Sequence, residues 1–341
     1  MNIQTTMQPY VEKWYGDVIQ SVLQRRQQLP HALLISGPSG IGKLLFADLL
    51  VHALLCQNAP QGRLFCGQCQ ACKLKHAGTH PDYYLLEREG KGTDKQAKEI
   101  KIDQVRQLCQ SLIQTSQLGG LKIAVIEPAD AMNRNAANSL LKTLEEPAAD
   151  TLLILVSASV SAMLPTIRSR CQQLQLSLPA KPDVIACLSE IFPEHPVDSL
   201  YAAADGAPFT AAELVGSDAL QRRLDLFHAF RDIARQGQDP VSHAAKSART
   251  LDRQTMCWIL SWVQDLICLR SSGDINAMQN VDLQKDLQAI ASRIHLPQLY
   301  RFYDKAQQTM TLLRSSVNLQ LLLESLLFDW SVATRTLNEQ R

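Results

Sequence analysis

The sequence predicts a parallel-sheet α/β domain followed by an all-helical remainder, and three observations carry that reading. Short apolar runs alternate with helical stripes from Trp14 to Leu178. A glycine-rich turn, Gly37–Gly42, joins the first of those runs to the next helix. Strand signals then stop at Pro179-Ala-Lys-Pro182, beyond which the pattern is helical almost throughout. Strands separated by helices pair in parallel and are covered on both faces. With 341 residues, 46% of them hydrophobic, the chain can build two or three cored domains and is too apolar for disorder.

Taken in order, Trp14, Val18, Ile19, Val22 and Leu23 share one face of a helix over Trp14–Gln28, stopped by Pro30. Ala32–Ser36 is of strand length and wholly apolar until its last residue, and Leu44–Leu55 resumes a helical period. Asp82–Leu86 reads as a second strand and Ile102–Thr115 as an amphipathic helix, ended by Gly119-Gly120. Lys122–Ile126 is a third strand. Asn133 is placed to cap a helix that runs to Glu146 and is stopped by Pro147. Thr151–Ser157 is a fourth strand, and Leu174, Leu176 and Leu178 alternate in a fifth. Past the proline linker come three short helices near Pro182–Phe192, Val197–Asp205 and Thr210–Leu214. From about Gly216 the helices lengthen, with a stripe such as Leu312–Trp330. Domains are therefore expected at 1–178, 179–215 and 216–341, with no internal repeat.

Composition excludes several classes of function. No apolar run reaches the ~18 residues of a membrane helix. Met1-Asn-Ile-Gln-Thr-Thr-Met7 has no basic start leading into an apolar core, so it is not a signal peptide, and a cytoplasmic location with no membrane partner is expected. Lys and Arg number 34 against 33 Asp and Glu, which leaves no basic surplus for gripping DNA unaided. Protein partners are the expected main target. Of nine cysteines, four crowd into one stretch; a secreted disulfide scaffold would spread them in pairs through a smaller chain.

Gly37-Pro-Ser-Gly-Ile-Gly-Lys43 fits the first seven positions of a phosphate-binding loop, with Gly37, Gly40, Gly42 and Lys43 in register. Glycines let backbone N–H groups converge on phosphate oxygens, the lysine neutralises charge, and the helix N-terminus adds its dipole. The eighth position should be Ser or Thr, whose hydroxyl holds magnesium. It is Leu44. The strand that should end in a magnesium-holding Asp and an acidic base ends in Glu127-Pro128, and Pro128 removes the base outright. Because phosphoryl transfer depends on placing metal and nucleophile accurately, no hydrolysis by this chain is expected.

Cys66-x2-Cys69-x2-Cys72, with Cys56 upstream, offers four thiolates for a closed tetrahedral zinc site over 56–72. An iron–sulfur run would want its fourth Cys four residues later, followed by Pro, where Lys75-His76 stands; a redox pair would leave two thiols without a role. His76 and His80 are substitutes should Cys56 lie too far away. Ile167-Arg-Ser-Arg-Cys171 links the fourth and fifth strands, and an arginine at a strand end on a subunit boundary can reach a neighbour's γ-phosphate. Alone, that triplet is as well explained by a solvated turn.

It does not stand alone. Asn138-Ser-Leu-Leu-Lys-Thr-Leu-Glu-Glu-Pro147, Thr79-His-Pro-Asp-Tyr-Tyr84, the degenerate loop, the four-Cys insert and Ser169-Arg170-Cys171 follow one another as in bacterial clamp loaders. Over essentially its whole length the chain resembles the clamp-loader subunits of DNA polymerase III, an AAA+ family. The resemblance implies a zinc-bearing AAA+ domain, a helical lid and a C-terminal collar in a five-subunit ring. It implies gamma/tau and delta subunits as partners, and the sliding clamp and primed DNA reached through the complex. The ATP-hydrolysing gamma/tau members keep the Ser/Thr, the Asp-Glu pair and a lid arginine in Gly-x-x-Arg; this chain has Leu44, Glu127-Pro128 and, within Gly206-Ala-Pro-Phe209, Phe209. The departures point to the delta-prime branch, a non-hydrolysing member of the polymerase holoenzyme that lends Arg170 as an arginine finger. Nucleotide binding stays open, since Lys43 and all three glycines survive. The rivals are a hydrolysing gamma/tau-type subunit and a small-molecule P-loop kinase; the kinase would lack the thiol insert and the long helical C-terminal third.

Overall fold

The computed structural model describes residues 3–60, 62–88, 99–236, 251–313 and 318–335. The chain divides into two compact units, Met1–Pro179 and Ala180–Arg341.

In the first unit five strands, β1 Ala32–Ser36, β2 Tyr83–Glu87, β3 Lys122–Glu127, β4 Thr151–Ser157 and β5 Gln172–Gln175, form one sheet in the order β2-β3-β4-β1-β5. All neighbours are parallel, with Leu34 level with Leu155 on one side and with Gln173 on the other. Strands buried on both faces carry continuous apolar runs, and every position of β1 and β4 is buried. At the edge, β5 is Gln-Gln-Leu-Gln and mostly exposed. Helices α1 Ile3–Gln24, α2 Lys43–Leu55, α3 Gln70–His76, α4 Ile102–Ile113, α5 Arg134–Glu145 and α6 Pro165–Arg168 complete the unit.

Helix α1 starts well before the expected Trp14. Its buried stripe, Met7, Val11, Tyr15 and Ile19, crosses Pro9. An interior proline costs a helix roughly 3 kcal/mol, and the burial of Met7 and Val11 on either side offsets that. Tyr15 anchors the helix by donating to the Ser177 carbonyl at 2.8 Å and meeting Phe46 edge-on. The buried Lys122 ammonium donates to the Leu112 and Gln114 carbonyls and so closes the end of α4. Asp82 accepts from Ser116 Oγ, Gln117 N and Leu118 N at 3.0, 2.8 and 2.9 Å. Burial alone would raise its pKa, but these donors outweigh it and hold the carboxyl below its ordinary range.

The second unit contains no strand among the described residues. Helices α7 Lys181–Ile191, α8 Val197–Ala203 and α9 Pro208–Leu214 share a small core of Val184, Leu188, Leu200 and Ala211. Helices α10 Ala219–Gln236, α11 Arg253–Ser271, α12 Gln284–Ala291, α13 Leu296–Leu312 and α14 Leu319–Arg335 enclose a larger one. There Phe230 stacks on Trp330 at 3.9 Å, with Trp262 and Phe302 against the same ring. Of the stripe over Leu312–Trp330, α13 holds only Leu312, and α14 buries Leu322, Leu323, Leu326, Leu327 and Trp330 in this core. The small and large cores meet: the Ala203 carbonyl accepts from both Gln254 Nε2 and Trp258 Nε1 at 2.7 Å. Among the described residues no helix is long and apolar enough to cross a membrane.

Arg223 sits inside this unit at 1% exposure, bidentate to Asp282 at 2.6 and 3.1 Å and bonded to Asn280 Oδ1 at 2.7 Å. Removing one partner of a buried pair strands the other charge, at a cost of about 3–5 kcal/mol. Asp282→Ala is therefore expected to lower unfolding stability by about that much, read as a drop in the urea midpoint of the helical signal. An unchanged midpoint would show that Asn280 alone satisfies the guanidinium.

Candidate functional site

The glycine loop leaves the carboxyl edge of β1, the edge at which open α/β sheets bind ligands. Gly37 is held at φ 153°, and a Cβ there would lie 2.4 Å from the Leu176 carbonyl oxygen, so only glycine fits beside the continuation of β5. Gly40 and Gly42 adopt φ 73° and 88°, and Gly42 is the residue from which α2 springs. Lys43 does not reach outward. It is 9% exposed, and its Nζ donates back to the Pro38 carbonyl of its own loop at 2.5 Å. Burial lowers its pKa, while the carboxylates of Glu127 and Asp130 favour its charged form. Leu44, in the metal-ligand position, is half-buried.

Two residues that the sequence pattern does not single out complete this edge. Ser157, buried at the end of β4, donates to Asp130 Oδ1 at 2.8 Å and accepts from the Ser159 N–H at 3.0 Å. Asp130 lies just past the Glu127–Pro128 junction, in a 3-10 turn over Ala129–Ala131. The available signal was Ser157 itself, a hydroxyl ending a strand otherwise apolar after its first residue.

The structure brings Cys56, Cys66, Cys69 and Cys72 together, every Sγ within 4.8 Å of the others. Sulfurs held ~2.3 Å from a central zinc at tetrahedral corners would lie about 3.8 Å apart; Cys66 and Cys72 Sγ are 3.8 Å apart, and all four thiols are free. Donor type, number and spacing thus fit a tetrahedral metal ion, with no need of His76 or His80. His80 instead accepts from the Asp82 N–H at 3.2 Å. Gly67, at φ 71°, turns the chain so that the N–H groups of Gln68 and Cys69 point at Cys66 Sγ, at 3.4 and 3.3 Å. Those donors, Cys69 first, bring the Cys66 thiol down to about 6. Burial pushes Cys56 and Cys72 upward. The module is fastened to α2 by a Lys75–Asp48 ion pair and by Phe65 stacked on His52 at 3.7 Å.

Arg170 follows α6 and stands at the surface. Its Nη2 pairs with Glu145 Oε1 at 2.7 Å, and Nη1 donates to the Thr166 carbonyl at 2.9 Å and to Ser169 Oγ at 3.4 Å. All three partners are exposed, so the guanidinium is held in one pose without being taken out of water. Cys171, by contrast, is buried in the core behind the sheet, where burial pushes its thiol up to about 11; its part is packing. Arg168 is half-buried, with its Nε unpaired. In the other unit, Phe209 lies in α9.

A family profile described as "DNA polymerase III, delta subunit" matches residues 16–180, and one described as "DNA polymerase III, delta subunit, C terminal" matches residues 217–332. The DNA polymerase III subunit delta' of Pseudomonas aeruginosa is 37% identical over 317 residues, spanning 91% of this chain and 94% of that protein. The chain belongs to the DNA polymerase III subunit delta' family. The delta' subunit of Haemophilus influenzae is 29% identical over 299 residues, or 86% of this chain and 88% of that one. A gamma subunit, from Buchnera aphidicola, is also similar, at 29% identity, but over 48% of this chain and 43% of its own. Likeness to the delta' relatives therefore runs through both units, while likeness to this gamma subunit spans about half the chain.

Proposed function

We propose that this chain is the subunit of the DNA polymerase III clamp loader that completes the ring without hydrolysing ATP and lends Arg170 to a neighbouring ATP site. In this reading 1–178 is the AAA+ domain, 179–215 its lid and 216–341 the collar. Its partners are gamma/tau and delta subunits, and through them the sliding clamp and primed DNA. One observation carries the reading: at an otherwise well-formed phosphate loop the metal-ligand position is Leu44, and Lys43 is folded onto Pro38. Pro128, in place of a base, and Phe209, in place of a lid arginine, point the same way. Without a hydroxyl for magnesium or a carboxylate for water, the loop lacks the parts that phosphoryl transfer positions.

Membership of the delta' family and the surface pose of Arg170 support the second half of the proposal. A guanidinium is permanently charged and presents forked donors that match phosphate oxygens. Exchanging Glu145 for a neighbour's phosphate costs little, because an ion pair this exposed contributes little by itself. In the assembled complex Arg170→Ala should leave folding and assembly intact and lower clamp-stimulated ATPase; one finger supplied in trans is worth up to roughly 10³–10⁵-fold in GTPases, and less in a ring with several sites. Arg170→Lys should rescue poorly. Arg168→Ala serves as the control: if it slows the complex and Arg170→Ala does not, the finger is assigned to the wrong arginine.

The ion in the four-Cys module is assigned as zinc, a d¹⁰ cation suited to a closed thiolate site that does no redox chemistry. Cys56, Cys66, Cys69 and Cys72 would hold it. Elemental analysis should find about one zinc per chain, and Cys69→Ser should lower that content while the helical signal of the second unit persists. Iron with visible charge-transfer absorption would overturn the assignment.

A further inference from the structure

The contacts of Arg170 use both ends of its fork. Nη2 pairs with Glu145 Oε1 at 2.7 Å, while Nη1 donates to the Thr166 carbonyl at 2.9 Å and to Ser169 Oγ at 3.4 Å. A guanidinium grips a phosphate by presenting two parallel N–H groups, and here both terminal nitrogens face their own chain. Thr166 and Ser169 offer neutral acceptors within one turn of Arg170, and Ser169 Oγ itself donates to the Thr166 carbonyl at 3.2 Å. Glu145 differs in kind. Among the described residues it is the anion that meets the guanidinium, and it comes from another element, α5.

Nothing in α5 asks for a carboxylate at this position. Glu145 is the last residue of that helix, where the unpaired carbonyls give a partial negative charge and an acidic side chain is disfavoured. A second carboxylate, Glu146, follows directly as the C-cap residue, and both are exposed. The favourable contact of Glu145 therefore lies outside its helix, at Arg170.

We propose that Glu145 is a positioning residue that withholds Arg170, keeping the guanidinium folded onto its own chain until a nucleotide phosphate on the neighbouring subunit takes the carboxylate's place. The inference rests on the finger reading given above. A terminal phosphate carries a charge of roughly −2 on three acceptor oxygens, against a single charge and two oxygens for a carboxylate, so it wins the guanidinium once in contact. At physiological salt, charges more than about 8 Å apart are largely screened. A phosphate not seated against this surface therefore does not compete with a carboxylate 2.7 Å from Nη2. Glu145 thus ties the use of the finger to close apposition of the two subunits.

The test measures ATP turnover by the complete complex, built with gamma-type and delta-type subunits, with and without sliding clamp and primed DNA. Glu145→Gln should raise the unstimulated rate by up to about fivefold, the most that an exposed ion pair is worth. It should raise the stimulated rate less, so that the ratio of the two shrinks. Glu145→Asp, with its carboxylate one methylene short, should fall between. High salt should bring the wild type and Glu145→Gln together. In an Arg170→Ala background Glu145→Gln should have no effect, because the coupling of the two residues is then gone; a purely structural part for Glu145 would persist there. If Arg170→Ala leaves turnover unchanged, the finger reading falls and this inference falls with it. If Arg170→Ala slows the complex and Glu145→Gln slows it too, the carboxylate supports the working pose, and withholding is overturned. The inference is equally overturned if Glu145→Gln changes neither rate, or changes both alike with and without Arg170.

Discussion

The placement of one buried ammonium organises the chemistry of the first unit. Lys43 has little contact with water, and an uncompensated charge so placed would cost several kcal/mol. In a working phosphate loop the phosphates themselves supply the compensation. Here the chain supplies it, through the Pro38 carbonyl and the nearby carboxylates of Glu127 and Asp130. Three strand ends converge on this arrangement: β1 leads into the loop, β3 delivers Glu127 and Asp130, and β4 ends in Ser157, which holds Asp130. The loop is therefore coherent as structure without a nucleotide. Gly37, Gly40, Gly42 and Lys43 thus give the loop a shape that needs neither a hydroxyl at Leu44 nor a carboxylate at Pro128.

The two other features of the unit are independent of that ammonium. The thiol cluster is preorganised by backbone: Gly67 turns the chain, two N–H groups converge on Cys66, and Cys69 caps α3 by accepting from the Cys72 N–H. Arg170 is positioned by Glu145 and Thr166 at the surface, a placement suited to a group that acts on something outside the chain. The thiol cluster, the self-satisfied loop and the outward arginine are the features on which the proposed non-hydrolysing, finger-lending role rests.

Much of this was legible in the sequence. Strand β4 and the Asn133 cap follow directly from an apolar run and a side chain that accepts from the N–H three residues on. Two C-x2-C steps around a turn bring Cys66, Cys69 and Cys72 together as their spacing implies, and the structure adds Cys56, whose distance the spacing left open. Local pattern failed where tertiary contacts decide. Pro9 is tolerated because Met7 and Val11 are buried on either side of it. The apolar stripe over Leu312–Trp330 takes in the last residue of α13 and most of α14, and its period does not report where one helix ends and the next begins. The double acceptance at Ala203 and the Ser157–Asp130 contact join residues far apart in sequence, and no spacing rule reports them.

The central claim, that the loop is retained as structure and not as a hydrolytic site, is tested most directly on the isolated wild-type chain and Lys43→Ala, measuring ATP turnover and thermal unfolding together. The account predicts no turnover above background in either protein, and a lower unfolding temperature in the variant, whose loop loses the ammonium that donates to the Pro38 carbonyl. Turnover at ordinary enzymatic rates in the wild type, abolished in Lys43→Ala with the unfolding temperature unchanged, would contradict it and make this chain a hydrolysing subunit of the gamma type.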